Sequence, residues 1–186
     1  MIIIGITGTL GAGKGTIVEY LINQKRLAHY SVRDYLIREI EKLGMPNNRD
    51  SMTILANRLR AENSPSFITD ELYKEALEND HDAIIESIRT PGEIDSLRRK
   101  GRFYLFAVDA DSEIRYNRIV QRASETDQIS YETFLEDEAR EMSSTNPNNQ
   151  NLKKCISLAD YTFDNNGDLS LLHKQVEQVI SKISAE

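Results

Sequence analysis

The nine residues from Gly8 to Thr16, GTLGAGKGT, constrain this chain more than any other stretch. They follow MIIIGIT, a short apolar run rich in β-branched residues that suits a strand buried on both faces of a parallel sheet. They lead into GTIVEYLINQ, where Ile17, Val18, Leu21 and Ile22 recur at helical spacing. Strand, glycine loop and helix form the context that the phosphate-binding pattern G-x-x-x-x-G-K-[ST] demands, and Gly8 through Lys14 match its first seven positions. Glycines let backbone N–H groups converge on phosphate oxygens, the helix N-terminus adds a favourable dipole, and Lys14 brings a point charge to the β- and γ-phosphates. The nucleotide-binding set read from the loop is Gly8, Gly11, Ala12, Gly13, Lys14, Gly15 and Thr16. The departure is Gly15, where the pattern places a hydroxyl that ligates Mg²⁺. The metal is therefore expected on nucleotide oxygens, water and a carboxylate, with the Thr16 hydroxyl one position later.

The rest of the chain repeats the alternation. LAHYS, HDAIIES, RFYLFAVDA and DYTFDN read as strands, and SVRDYLIREIEKLG, SMTILANRLRAE, FITDELYKEALEN, TPGEIDSLRRKG, DSEIRYNRIVQRA, YETFLEDEAREM and DLSLLHKQVEQVISKI as helices. Pro91 falls in a first helical turn, Gly44 and Gly101 are stops, and MPNNRDS and SSTNPNNQN are loops. Strands alternating with helices predict an α/β fold, a P-loop NTPase three-layer sandwich with a five-stranded parallel sheet and helices on both faces. The 186 residues predict a single domain spanning 1–186.

A formal charge of −7 speaks against polymeric nucleic acid and anionic membranes, both of which need a basic face. Small-molecule nucleotides are the partners that the glycine loop leads one to expect. Cys155 is the only cysteine, which excludes an internal disulfide, and no Cys/His cluster has the spacing of a zinc site. No apolar run approaches the roughly 18 residues of a membrane span, and the N-terminus lacks a basic region before its apolar run. A cytoplasmic location is expected.

The hexapeptide GAGKGT resembles the phosphate loop of adenylate kinases and related nucleoside monophosphate kinases. AIIESIRT is similar to the strand and loop in which those kinases place a carboxylate and an acceptor-binding arginine, which implies these roles for Glu86 and Arg89. RIVQR resembles the start of their lid, implying Arg118 near the donor base and Arg122 on the phosphates. ADYTFDNNG is similar to the last strand and turn of dephospho-CoA kinases and of small adenylate-kinase-like proteins, with Asn166 as a nucleotide contact. The resemblance implies ATP and Mg²⁺ as cofactors, with Thr16 and Glu86 (through water) toward the metal. It further implies a helical acceptor-binding region at approximately 33–79, a short lid at approximately 119–142, and catalysis by Lys14, Arg89, Arg122 and Arg140. Among Arg33, Arg38, Arg58 and Arg60 in the helical region, Arg33 and Arg58 are selected with Arg89 for the acceptor. Two departures stand out: only ASETDQIS separates Arg122 from the next helix, and Val32 and Ile37 replace the threonine and arginine of the adenylate kinase AMP site.

Several of these side chains also have plain structural explanations. Arg89 can pair with Glu93, Arg115 with Asp111, and Arg140 with Glu136 or Asp137. His29, His81 and His173 are isolated. Asp34 separates two acceptor classes, since a hydroxyl acceptor needs a base whereas a phosphate acceptor needs positive charge and alignment. Ser31-Val-Arg-Asp34 is also a capping box, and the cap is the favoured reading. The expected activity is transfer of the γ-phosphate of ATP to a nucleoside or deoxynucleoside monophosphate. The alternatives are transfer to a hydroxyl, as in dephospho-CoA kinases, and a nucleotide-binding regulator without kinase activity.

Overall fold

Strand β1 (Ile2–Gly8) runs down the middle of a five-stranded, all-parallel sheet of order β2-β3-β1-β4-β5, with β2 (Ala28–Ser31), β3 (Ala83–Glu86), β4 (Arg102–Asp109) and β5 (Tyr161–Asp164). A central strand has no solvent face, which is why IIIGIT is continuously apolar. Successive residues feed opposite layers: Ile3 packs in one core with Ile85 and Leu105, while Ile4 and Ile6 pack in the other with Ile84, Phe106 and Val108. The structure, a computed structural model, describes residues 1–122 and 129–185. Residues 123–128 of the expected lid at 119–142 lie outside the described residues.

The first core is covered by α2 (Val32–Leu43), α3 (Arg49–Glu62), α4 (Phe67–Asn79) and α5 (Pro91–Arg98), the second by α1 (Lys14–Lys25) and, after β5, a long helix at Leu169–Ser184. Helices α6 (Ser112–Arg122) and α7 (Tyr131–Met142) follow β4. A further helix, α8 (Leu152–Ser157), went unread in the sequence, so the long one is α9. Asn151 caps α8, its side chain accepting from Lys154 N at 3.1 Å, and its own N–H donates to the Arg89 carbonyl at 2.8 Å. Cys155 on α8 is fully buried, and burial pushes its thiol well above the usual range.

The predicted sandwich is the observed one. Helix α3 starts earlier than expected: Asn48 accepts from Ser51 N at 2.8 Å, which brings Arg49 into the first turn instead of the loop. Ser31 caps α2 by accepting from Asp34 N at 3.2 Å. No described helix is long and apolar enough to cross a membrane.

Candidate active site

The loop between β1 and α1 is shaped by glycines that no other residue replaces without collision. Gly11 has φ +78°, and a Cβ there would lie 2.5 Å from the Arg115 carbonyl oxygen. Gly13, the N-cap of α1, has φ +107°, and a Cβ would overlap the Asn165 amide. Gly15 differs, since nothing lies within 4 Å of an added Cβ. The missing hydroxyl is therefore not a packing requirement.

Three neighbours brace the loop. Asn165, just past β5, donates from Nδ2 to the Ala12 carbonyl at 2.8 Å. Asp109 at the end of β4 accepts from the Thr9 hydroxyl at 2.6 Å. Arg115, buried on α6, donates from Nη1 to the Leu10 carbonyl at 3.2 Å and from Nε to the Ala110 carbonyl at 2.6 Å, and it pairs with Glu138 of α7. The expected Arg115–Asp111 ion pair is thus replaced by a tertiary one. Lys14 folds back on its own loop, donating to the Gly8 and Thr9 carbonyls at 2.9 and 2.8 Å. Burial, and next the Arg89 guanidinium, lower its amine to about 8.

A cavity of about 580 Å³ opens beside the loop at the carboxyl end of β1 and β3, where open α/β sheets collect their ligands. It brings together Gly11, Gly13, Lys14, Gly15, Thr16, Arg33, Glu86, Arg89, Arg118 and Arg122 of the sequence-selected residues. Gly8 and Ala12 do not line it, and each instead lends its carbonyl as described. Arg118 donates from Nη2 to the Asn165 carbonyl at 2.7 Å, leaving a buried Nη1 without a partner.

Three further selected residues are not brought there. Arg58 is exposed and pairs with Glu62 at 3.8 Å, because its position on α3 points it to the outer face. Arg140 is exposed and pairs with the buried Asp137 one turn back on α7. Asn166 is exposed and accepts from Asp111 N at 2.7 Å, while its neighbour Asn165 holds the loop. Arg38, weighed for the acceptor but not selected, pairs with Glu75 at the surface. Asp34 is also exposed and outside the lining.

In their place the cavity holds residues that the sequence did not single out. Glu141 of α7 accepts from Arg49 Nη2 through one carboxylate oxygen and from Arg89 Nη1 through the other, each at 2.7 Å. Gln150 accepts from the same Arg89 nitrogen at 2.6 Å, so Arg89 is engaged here and not by the Glu93 carboxylate, which takes only its backbone N–H. Burial would raise the Glu141 carboxyl, but Arg89 and Arg49 outweigh it and hold the group down to about 2. Ser87, at the cavity edge, has φ +73°, a conformation that costs about 1–3 kcal/mol in a non-glycine residue and is concentrated at functional sites. Arg60 is buried as the partner of Glu93 at 3.0 Å.

The fit to a nucleotide polyphosphate rests on the cradle left by Gly11 and Gly13 and on the Lys14 amine. For a divalent cation, no group of three or more His, Cys, Asp or Glu side chains comes together among the described residues. Thr16 and Glu86 line the cavity, Glu86 lying 2.9 Å from His29 Nε2. That donor set fits an ion held mainly by phosphate oxygens and water.

Residues 4–144 match the AAA domain family. A UPF0200 protein of Methanococcus maripaludis is 29% identical over 186 residues, 98% of each chain, and one of Pyrococcus horikoshii is 25% identical over 187 residues, 97% of each. Among solved structures, a gluconokinase from Sinorhizobium meliloti has a TM-score of 0.61 at 11% identity, over 98% of this chain and 93% of that one. Shikimate kinase from Bacteroides thetaiotaomicron has a TM-score of 0.56 at 13% identity, over 98% of both. The fold is that of small P-loop kinases.

Proposed function

This chain belongs to the AAA domain family, and we propose that it is an ATP-dependent phosphotransferase that moves the γ-phosphate to a nucleoside or deoxynucleoside monophosphate. One observation carries the reading: a single cavity holds the glycine loop with Lys14 and also Arg49 and Arg89, whose guanidinium groups share Glu141. Arg89 is near enough to depress the Lys14 amine, so the cations converge where a transferring phosphoryl group needs them.

In this reading the loop N–H groups and Lys14 bind the donor phosphates, and Arg118 uses its spare Nη1 toward the donor. Arg89 and Arg49 hold the acceptor phosphate through guanidinium N–H groups that Glu141 and Gln150 leave over. Arg33 and Arg122, also at the cavity, add charge on the acceptor and transferring groups. Thr16 and, through water, Glu86 would hold Mg²⁺, which when bound neutralises phosphate charge. Arg58, Arg140 and Asn166 have no part. A phosphate acceptor arrives ionised, so no base is required, and Asp34, the one candidate base from the sequence, stays outside the cavity.

The test is an ADP-release screen with ATP and Mg²⁺ across the common nucleoside monophosphates, their deoxy forms and dephospho-CoA. Turnover with at least one monophosphate, abolished by Lys14→Ala, is expected. Product from dephospho-CoA alone would replace this reading with hydroxyl transfer, and no product with any acceptor would favour a nucleotide-binding regulator.

A further inference from the structure

Arg60 is 1% exposed, and its Nε and Nη2 both donate to Glu93 Oε1, at 3.3 and 3.0 Å. Glu93 is fully committed, since its Oε2 accepts from the backbone N–H groups of Arg89 and Thr90 at 2.7 and 3.0 Å. The remaining fork nitrogen, Arg60 Nη1, is buried without a hydrogen-bond partner, although Arg60 lines the cavity. A buried charged donor left without an acceptor is costly. Such a nitrogen has meaning when a ligand supplies the acceptor.

Its surroundings describe that ligand. Arg49, Met52, Thr53, Ala56 and Arg60 form one stripe of α3 along the cavity, at spacings of a single helical face. Val32 and Leu36 of α2, which packs on α3, line it as well. Between the two arginines the wall is apolar or small, and eleven residues of helix separate them by ~16 Å. That length accommodates a nucleoside monophosphate with its phosphate at Arg49 and Arg89 and its base between the helices, reaching toward Arg60. A guanidinium has donors and no acceptor, so it complements a ring carbonyl and opposes an exocyclic amine at the same ring position. From this, and resting on the monophosphate reading above, we infer that Arg60 selects acceptors whose base carries an oxo group at that position, as in uracil, thymine, guanine or hypoxanthine, and disfavours adenine, which carries an amine there.

The experiment measures kcat/KM and equilibrium binding for UMP, dTMP, CMP, GMP, IMP and AMP, together with purine riboside monophosphate, which differs from IMP in lacking the oxo group. The best oxo-base nucleotide is expected to exceed AMP by about 10- to 100-fold, the worth of a charged hydrogen bond, and IMP to bind tighter than its oxo-free partner. Arg60→Lys keeps a cation on Glu93 but removes the spare fork nitrogen, and should collapse the ratio toward one while KM for ATP stays put. If that variant does not fold by circular dichroism, the comparisons on the native protein decide. AMP used as well as or better than every oxo-base nucleotide overturns the inference and leaves the phosphotransferase reading standing. Failure of every monophosphate to bind or react overturns both.

Discussion

The Asn165 amide donates a 2.8 Å hydrogen bond to the carbonyl of Ala12, tying the turn after β5 to the glycine loop after β1. The same residue accepts from Arg118 through its backbone carbonyl, so one buried asparagine positions both the loop and an arginine of the site. Replacing it by alanine should cost about 1 kcal/mol of stability and weaken nucleotide binding by roughly tenfold. Asn166→Ala, one position away and exposed, should leave both unchanged. Thermal melts and nucleotide titrations on the two variants check this contrast.

Glycines in one loop should respond in opposite ways. Gly11→Ala puts a side chain at φ +78° and against the Arg115 backbone, which cannot yield cheaply; a loss of about 1–3 kcal/mol is expected, along with nucleotide binding. Gly15→Ser meets open space and should melt within a degree or two of the parent protein. Equal destabilisation of the two would contradict the loop geometry described above.

Lys14 makes binding and stability move apart with pH. Its amine is depressed from 10.5 to about 8 in the folded chain, so the unfolded chain holds more protons between those values and stability rises with pH across that window. Phosphate affinity depends on the charged amine and should fall as pH climbs through about 8. Lys14→Met should flatten both dependences, read by chemical denaturation and by nucleotide titration at matched pH.

Glu141 works in the acid range. Its folded value of about 2 lies below the ordinary 4.5, so its contribution is complete above about pH 4.5 and is lost as pH falls toward about 2. The difference corresponds to about 3 kcal/mol. Glu141→Gln should therefore be less stable than the parent near neutral pH, with the gap narrowing near pH 3, and should raise the acceptor KM as Arg49 and Arg89 lose their common anchor. Urea denaturation at the two pH values and steady-state kinetics test it; a gap that does not change with pH would show that the carboxylate charge is not what matters.

What the sequence determined by itself was whatever local pattern encodes. β1, the glycine loop and α1 are contiguous, and their apolar run, φ-permissive residues and helical period are readable without knowing what lies nearby. The alternation of strands and helices was legible for the same reason, whereas the six residues of α8 are too short to display a period. Glu86 and Arg89 were reached through the resemblance of AIIESIRT, and both stand at the carboxyl end of β3, on the rim of the cavity. Tertiary structure alone decided among the arginines on helices. Arg58 and Arg60 are two positions apart on α3, and a turn of roughly 200° about the axis leaves one in solvent and the other buried on Glu93. Arg49, Arg89 and Glu141 come from three separate segments and acquire their meaning only where these meet. A charge in a sequence carries no record of its partner, since solvation, burial and pairing are set by distances that only the packed chain fixes.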